Sequence, residues 1–274
     1  MIGAGVTALY ARACTHSHHG AEELRNDARE DEASFLAEFL TLSQQVYAAT
    51  SGNVGIQLGL FSLTTNRLLQ AVEIGYDRED KTATAFLRGN VHFFSAAKTK
   101  HQAIELSKLL LDESGQRKPW GEFKKDALEL HDQYNKHWLS AEYEHAIASS
   151  QMASRWLDYD EADLVEYQTV GDDRVRPEHR AWDKVTLPST HPWWDTHYPP
   201  NGWRCRCTAT VGAPGTRVTP DSILPALPEP DPLFSGNVGK TGVMFPKEHP
   251  YYAELSDEAK AEVDEFTKTQ NGEE

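Results

Sequence analysis

The sequence predicts an α+β protein, with a mostly helical N-terminal region followed by a small α+β module of short strands and long loops. Three observations carry this. From about Ala28 to about Trp156, apolar residues recur three and four positions apart, as on one face of a helix. From Leu164 to Val170 the alternation is that of a strand, and Gly171-Asp172-Asp173 brings turn chemistry. Between Tyr167 and Val211 lie two of the 3 cysteines, three of the 12 histidines and four of the 7 tryptophans. That density suggests a small platform, cross-linked by metal or by packing.

Bulk properties narrow the classes. A chain of 274 residues, 39% hydrophobic, can bury a core as one large domain or two smaller ones. The net charge of −15, from 42 acidic against 27 basic residues, argues against a broad nucleic-acid footprint. That leaves room for local basic patches around Arg174, Arg176, Arg180, Arg204 and Arg206. No apolar run approaches the ~20 residues of a membrane span, and Met1–Val6 lacks the charged flank of a secretion signal. Three cysteines in so long a chain do not make a disulfide framework, and the expected compartment is the cytoplasm.

Four segments follow: residues 1–26, a leader expected to be flexible; 27–160, helical; 161–212, the α+β module; and 213–274, a Pro-rich extended arm and C-terminal helix. In the leader, Thr15-His16-Ser17-His18-His19 reads as solvated tail rather than as a metal site. Phe35, Phe39, Leu42 and Val46 mark a first helix, broken at Ser51-Gly52-Asn53. Thr64-Thr65 is a candidate cap for a second helix ending near Gly75, and Asp80 and Thr82 precede a third with Phe86, Val91 and Phe94. Ile104 to Leu111 form a further stripe, stopped at Glu113-Ser114-Gly115. Lys118-Pro119-Trp120-Gly121 opens a long helix that continues or restarts through Trp156. Glu142, His145 and Ser149 fall on one face of it, which reads as a structural polar face. Pro177 suits the first position of a short helix placing His179 and Asp183 on one side. Lys184–Leu187 and Cys207–Val211 read as short strands, Val243–Pro246 and His249–Tyr252 as a docking segment, and Ser256 as the start of an acidic helix to about Thr267.

The chemistry concentrates on the platform. Cys205 and Cys207, one residue apart, cannot easily bond each other, but on a strand would point to the same side. With His179, and with His191, His197 or Asp183 as a fourth group, they compose a tetrahedral zinc set. The alternative is a pair of buried free cysteines. An enzyme reading makes His179, Asp183 and Cys205 base, orienter and nucleophile, or has Arg and His residues grip a phosphate. No nucleophile elbow, phosphate-binding glycine loop or paired-carboxylate motif accompanies it. Trp193, Trp194 and Trp203, with Pro199-Pro200, are expected to wrap the platform as an aromatic shell.

The two stretches Thr169-Val170-Gly171-Asp172-Asp173-Arg174-Val175-Arg176-Pro177-Glu178-His179-Arg180-Ala181-Trp182-Asp183 and Tyr198-Pro199-Pro200-Asn201-Gly202-Trp203-Arg204-Cys205-Arg206-Cys207 resemble the signature of the phage Mu F-like minor head protein family. With the helical run Tyr134–Trp156 and Phe245–Tyr252, the resemblance covers roughly residues 85–252. The motif positions it picks out are Thr169, Asp172, Arg174, His179, Asp183, Pro199, Pro200, Cys205, Arg206 and Cys207. Many members carry Cys where this chain has Arg176, Cys at His179 and His at Gly202; the resemblance thus leaves His179, Cys205 and Cys207 as ligands of a structural zinc. It implies a minor head protein in the virion head, and in the host cytoplasm during assembly. Portal, capsid or scaffold proteins, and packaged DNA, are the implied partners. No membrane and no catalysis are implied, and no toxin or nuclease domain is apparent after Val211. The competing class is a nucleic-acid-processing or toxin-associated module centred on His179, Arg174 and Arg176.

Overall fold

The computed structural model describes residues 25–49 and 54–272. The His-rich stretch, nearly all of the leader and the Ser51-Gly52-Asn53 break lie outside them. The helical region comprises α1 (Arg25–Ala48), α2 (Leu58–Gly75), α3 (Lys81–Lys108), α4 (Trp120–Asp132) and α5 (Leu139–Trp156). A π-helical turn, Gln133–Trp138, joins α4 to α5. The α+β part holds β1 (Leu164–Gln168), α6 (Pro177–Trp182), β2 (Thr186–Pro188), α7 (Trp194–His197) and β3 (Thr208–Val211). Two 3-10 turns, Asp221–Ala226 and Pro232–Phe234, lead to α8 (Val238–Thr241), α9 (Pro250–Ala253) and α10 (Asp257–Asn271). Among the described residues no helix is long and apolar enough to cross a membrane.

Caps differ in part from expectation. Asp80 accepts hydrogen bonds from the amides of Thr82 (2.8 Å) and Ala83 (3.1 Å), as an N-cap should. Thr64 and Thr65, by contrast, are buried inside α2, which starts six residues earlier at Leu58. The stripes at 86–94 and 104–111 belong largely to the single helix α3, because nothing between them breaks a helix. Ser256 caps α10 as expected, accepting from Ala259 at 3.3 Å.

Contacts gather the residues into two compact units, each discontinuous in sequence. The first takes the described residues up to Leu69, Val91–Tyr143 and those from Lys247 on. Its core includes Phe35, Phe39, Leu42 and Val46 of α1 against Phe123, Ala127 and Leu130 of α4. A polar chain also runs through it. Fully buried Lys98 pairs with fully buried Glu142 and donates to the Tyr134 carbonyl at 2.8 Å, while the Tyr251 hydroxyl donates to Glu142 at 2.9 Å. The Tyr134 hydroxyl lies 2.6 Å from His101 Nδ1.

The second unit takes Gln70–Asn90 and Glu144–Pro246. Its sheet runs β2-β1-β3, antiparallel throughout, pairing Val165 with Leu187 and Tyr167 with Ala209. All four of these side chains are buried, so period-two patterning fixes the face. The Pro-rich stretch is not a free arm. Thr219 exchanges two hydrogen bonds with Thr186, and the Pro228 carbonyl accepts from Trp182 Nε1 at 2.8 Å. Its apolar residues Val218, Ile223, Leu224 and Leu227 stay outside the buried core, and hydrogen bonds tie it down instead.

Candidate functional site

The site is built by two loops, one that leaves β1 and one that leads into β3. The first leaves the strand at Thr169 and turns at Gly171, whose φ of 73° suits glycine. Pro177 opens α6, its missing N–H costing nothing at that position. Six residues suffice to turn His179 inward, buried and stacked on Trp182 with ring centroids 5.0 Å apart at 22°. Asp183 does not share that face. It leaves the helix (ψ 130°) and accepts from the amide and hydroxyl of Thr169, at 2.8 and 2.9 Å. Lys184 then takes a φ of 67°, and the expected strand from Lys184 starts only at Thr186.

The second loop passes the cis Pro199-Pro200 bond and buried Asn201, which accepts from the Tyr167 hydroxyl at 3.1 Å. Gly202-Trp203-Arg204 turns sharply, with Arg204 at φ 54° and the Cys205 amide donating to the Gly202 carbonyl at 3.1 Å. Arg176 lies over this turn and donates to the Trp203 carbonyl at 2.7 Å. A Cβ at Gly202 would stand 3.2 Å from the same guanidinium, so arginine at 176 and glycine at 202 fit each other. Cys205 and Cys207 precede β3 rather than lie on a strand. The turn, not strand alternation, aims both thiols one way.

They meet His179. Its Nδ1 lies 3.6 Å from Cys205 Sγ and 3.5 Å from Cys207 Sγ, all three residues are buried, and their donor atoms lie within 4.8 Å of one another. Sulfur and nitrogen held ~2.3 and ~2.0 Å from one tetrahedral ion would lie roughly 3.5 Å apart. The cluster could therefore hold a metal ion, and its donor set suits zinc. Among the described residues no fourth His, Cys, Asp or Glu joins it. Asp183 is on Thr169; His191 lies 3.6 Å from Asp221; and His197 stacks on Trp193 at 4.3 Å. The thiols diverge in acidity. A hydrogen bond from Cys207, and then His179, bring Cys205 well below the usual thiol range, while Cys205 and burial push Cys207 up.

The remaining motif residues knit the loops together. Arg206 grips Asp172 through both guanidinium nitrogens at 2.8 Å, holding that carboxyl well below the usual carboxylate range. Arg174 is exposed and 3.4 Å from the same carboxylate. Pro199 and Pro200 are buried at the turn beside Tyr198. The tryptophan shell is present, with Trp193, Trp194 and Trp203 all buried. Sequence reasoning missed Arg176 as a bridge between loops; only its proximity to Gly202 reveals that role, and no spacing signals it.

Residues 121–210, about a third of the chain, match the family described as Phage Mu protein F like protein. A stretch of 42 residues is 48% identical to "Putative capsid assembly protein F" of Escherichia phage Mu. That match covers 15% of this chain and 10% of the relative's length. No solved structure matches the chain.

Proposed function

We propose, starting from the match of residues 121–210 to the family described as Phage Mu protein F like protein, that this chain acts in phage capsid assembly and head morphogenesis. It does so as a minor head protein near the portal, with portal, capsid or scaffold proteins as partners. Residues 161–212 are its Mu F-like module, 27–160 its helical region, and 213–274 its arm and C-terminal helix. The virion head, and the host cytoplasm during assembly, are its places of action.

The observation that carries this reading is the match, and the geometry supports a structural role for the motif. Asp172 with Arg206, Arg176 with Trp203, and His179 with both cysteines each join the two halves of the signature. Motif residues spent on each other build a rigid platform. The nuclease alternative needs His179 and its arginines turned to a substrate. His179 is buried under Trp182, and Arg176 is spent on a carbonyl. We further assign His179, Cys205 and Cys207 as ligands of a structural zinc, whose role would be to clamp the loops.

Quantitative mass spectrometry of purified particles, with heads separated from tails, tests the assignment. A few copies per head alongside portal are expected. Absence from heads, with the chain free in the lysate, would overturn it. Activity on DNA that disappears in His179→Ala would then favour the nuclease.

A further inference from the structure

The first unit buries a nucleophile against an acid. Lys98 of α3 and Glu142 of α5 have side chains 0% exposed, and Nζ stands 2.5 Å from Oε2. The carboxyl carbon lies one C–O bond of about 1.2 Å behind that oxygen, so it is within roughly 3.7 Å of the nitrogen. An oriented pair reacts at about 3–3.5 Å. Nζ also donates to the Tyr134 carbonyl at 2.8 Å, and the Tyr251 hydroxyl donates to the other carboxyl oxygen, Oε1, at 2.9 Å. Buried rings close the pair off from water: Nζ lies 5.6 Å from the centre of Tyr251, which packs in turn on Phe94, Tyr134 and Trp138. Burial pushes the Lys98 ammonium below its ordinary range, against the pull of Glu142, toward the neutral amine that acts as a nucleophile.

We propose that Lys98 and Glu142 condense into an intramolecular amide, a covalent staple between α3 and α5. Nζ adds to Cδ, and the bond from Cδ to Oε2 breaks. The ammonium gives two protons to the departing oxygen, which leaves as water, and keeps the third as the amide N–H. No electrons are exchanged, so no oxidant is needed. Tyr251 polarises the acid through Oε1 and stabilises the charge that builds there as nitrogen adds. The driving force is burial itself. Two desolvated charges are costly even when paired, and the amide carries neither. Once formed, the link restricts the unfolded chain as a disulfide does. Tyr251 comes from the segment after Lys247, so the bond closes only when that segment has seated in the unit. This rests on the buried core alone and not on the assembly reading.

The test is intact mass spectrometry of the full chain, aged in the folded state and then denatured. Its mass should be lower than that of the sequence by one water. Trypsin should release residues 89–100 joined to residues 137–155, because an acylated Lys98 is no longer a cleavage site. Full mass with the two peptides separate would overturn the proposal, as would a lost water located elsewhere in the chain. Lys98→Met combined with Glu142→Leu replaces the pair by apolar groups, an exchange that buried ion pairs often tolerate, and should keep its full mass. Loss of water from that variant would also overturn the proposal. Tyr251→Phe keeps the ring and removes the hydroxyl, so it should link several-fold more slowly and leave an unlinked fraction in fresh protein. Complete linkage in that fresh variant would overturn the part given to Tyr251. The mass and the joined peptides are read in the unmodified protein, so the result stands even if a variant folds poorly.

Discussion

His179 takes its ring plane from Trp182, stacked at 22°, and that plane directs Nδ1 toward both thiols. A zinc ion here would draw on three buried donors, with His179 Nδ1 already at tetrahedral-site distances from both sulfurs, so little reorganisation of the histidine would oppose binding. Because metal affinity absent from the unfolded chain is folding free energy, the ion should raise stability outright. The protein is expected to hold one zinc per chain, and chelation should lower its melting temperature by several degrees. His179→Ala and Cys205→Ser should each lose stoichiometric metal and melt alike with and without chelator. Metal analysis and paired melting curves of the unmodified protein decide it; no zinc and coincident curves would remove zinc from the site. Cys205, Cys207 and His179 stood out in the sequence by residue type alone. Arg176 and Gly202 did not, because their relation is a close approach between loops that no local pattern records.

At the scale of the element, two helical glycines meet different neighbours. Gly75 ends α2 so close to α5 that a Cβ there would overlap the Ile147 carbonyl and stand 2.7 Å from Ser150 Cβ. Backbone cannot step aside, so Gly75→Ala forces the helices apart at a cost of about 1–3 kcal/mol. A Cβ at Gly59 would instead overlap the Glu38 carboxyl, the far end of a long side chain that can swing away at the loss of its hydrogen bond from Gln57 Nε2 (2.6 Å). Its loss is offset by the roughly 1 kcal/mol that alanine gains over glycine in a helix. Thermal melting should therefore show Gly75→Ala several degrees below the unmodified protein and Gly59→Ala close to it; equal losses would refute the distinction. From α1 to α5 helix existence was legible because the apolar stripes are long and regular, although α3 read as two helices; the short helices at Trp194–His197 and Val238–Thr241 carry no such stripe and were not read. Helix starts were less so: Asp80 read correctly as a cap, but Thr64 and Thr65 are the kind of residue that caps and are buried in mid-helix instead. The strands at 164–168 and 208–211 were readable from alternation, whereas residues 184–185 were not, since Lys184 adopts a positive φ that breaks the run.

Over the whole molecule, the distribution of buried titratable groups sets how stability responds to pH. His101 and His131 each remain about 2% exposed in the first unit. Burial brings their pKa values down to about 3 and about 4, with Lys108 acting in the same sense on His101 and Lys136 on His131, while Asp132 opposes on His131. Facing His101 are Tyr134, Tyr251 and the Glu254 carboxylate; facing His131 are Asn135 and Phe39. In the unfolded chain both take a proton near pH 6.5. Above pH 6.5 neither state binds one, and these groups make stability independent of pH. Below it the unfolded chain binds protons that the folded chain refuses until about pH 4, so stability falls as pH falls. Each histidine contributes up to about 1.4 kcal/mol per pH unit across that window. Denaturant midpoints measured from pH 7.5 to 4.5 should be flat at the upper end and decline below 6.5. His131→Phe keeps the ring packing against Phe39 and removes one of the protonations that the fold opposes, so its decline should be shallower by about 1.4 kcal/mol per pH unit. A variant slope identical to that of the unmodified protein would mean that His131 is charged, or exposed, in the folded state.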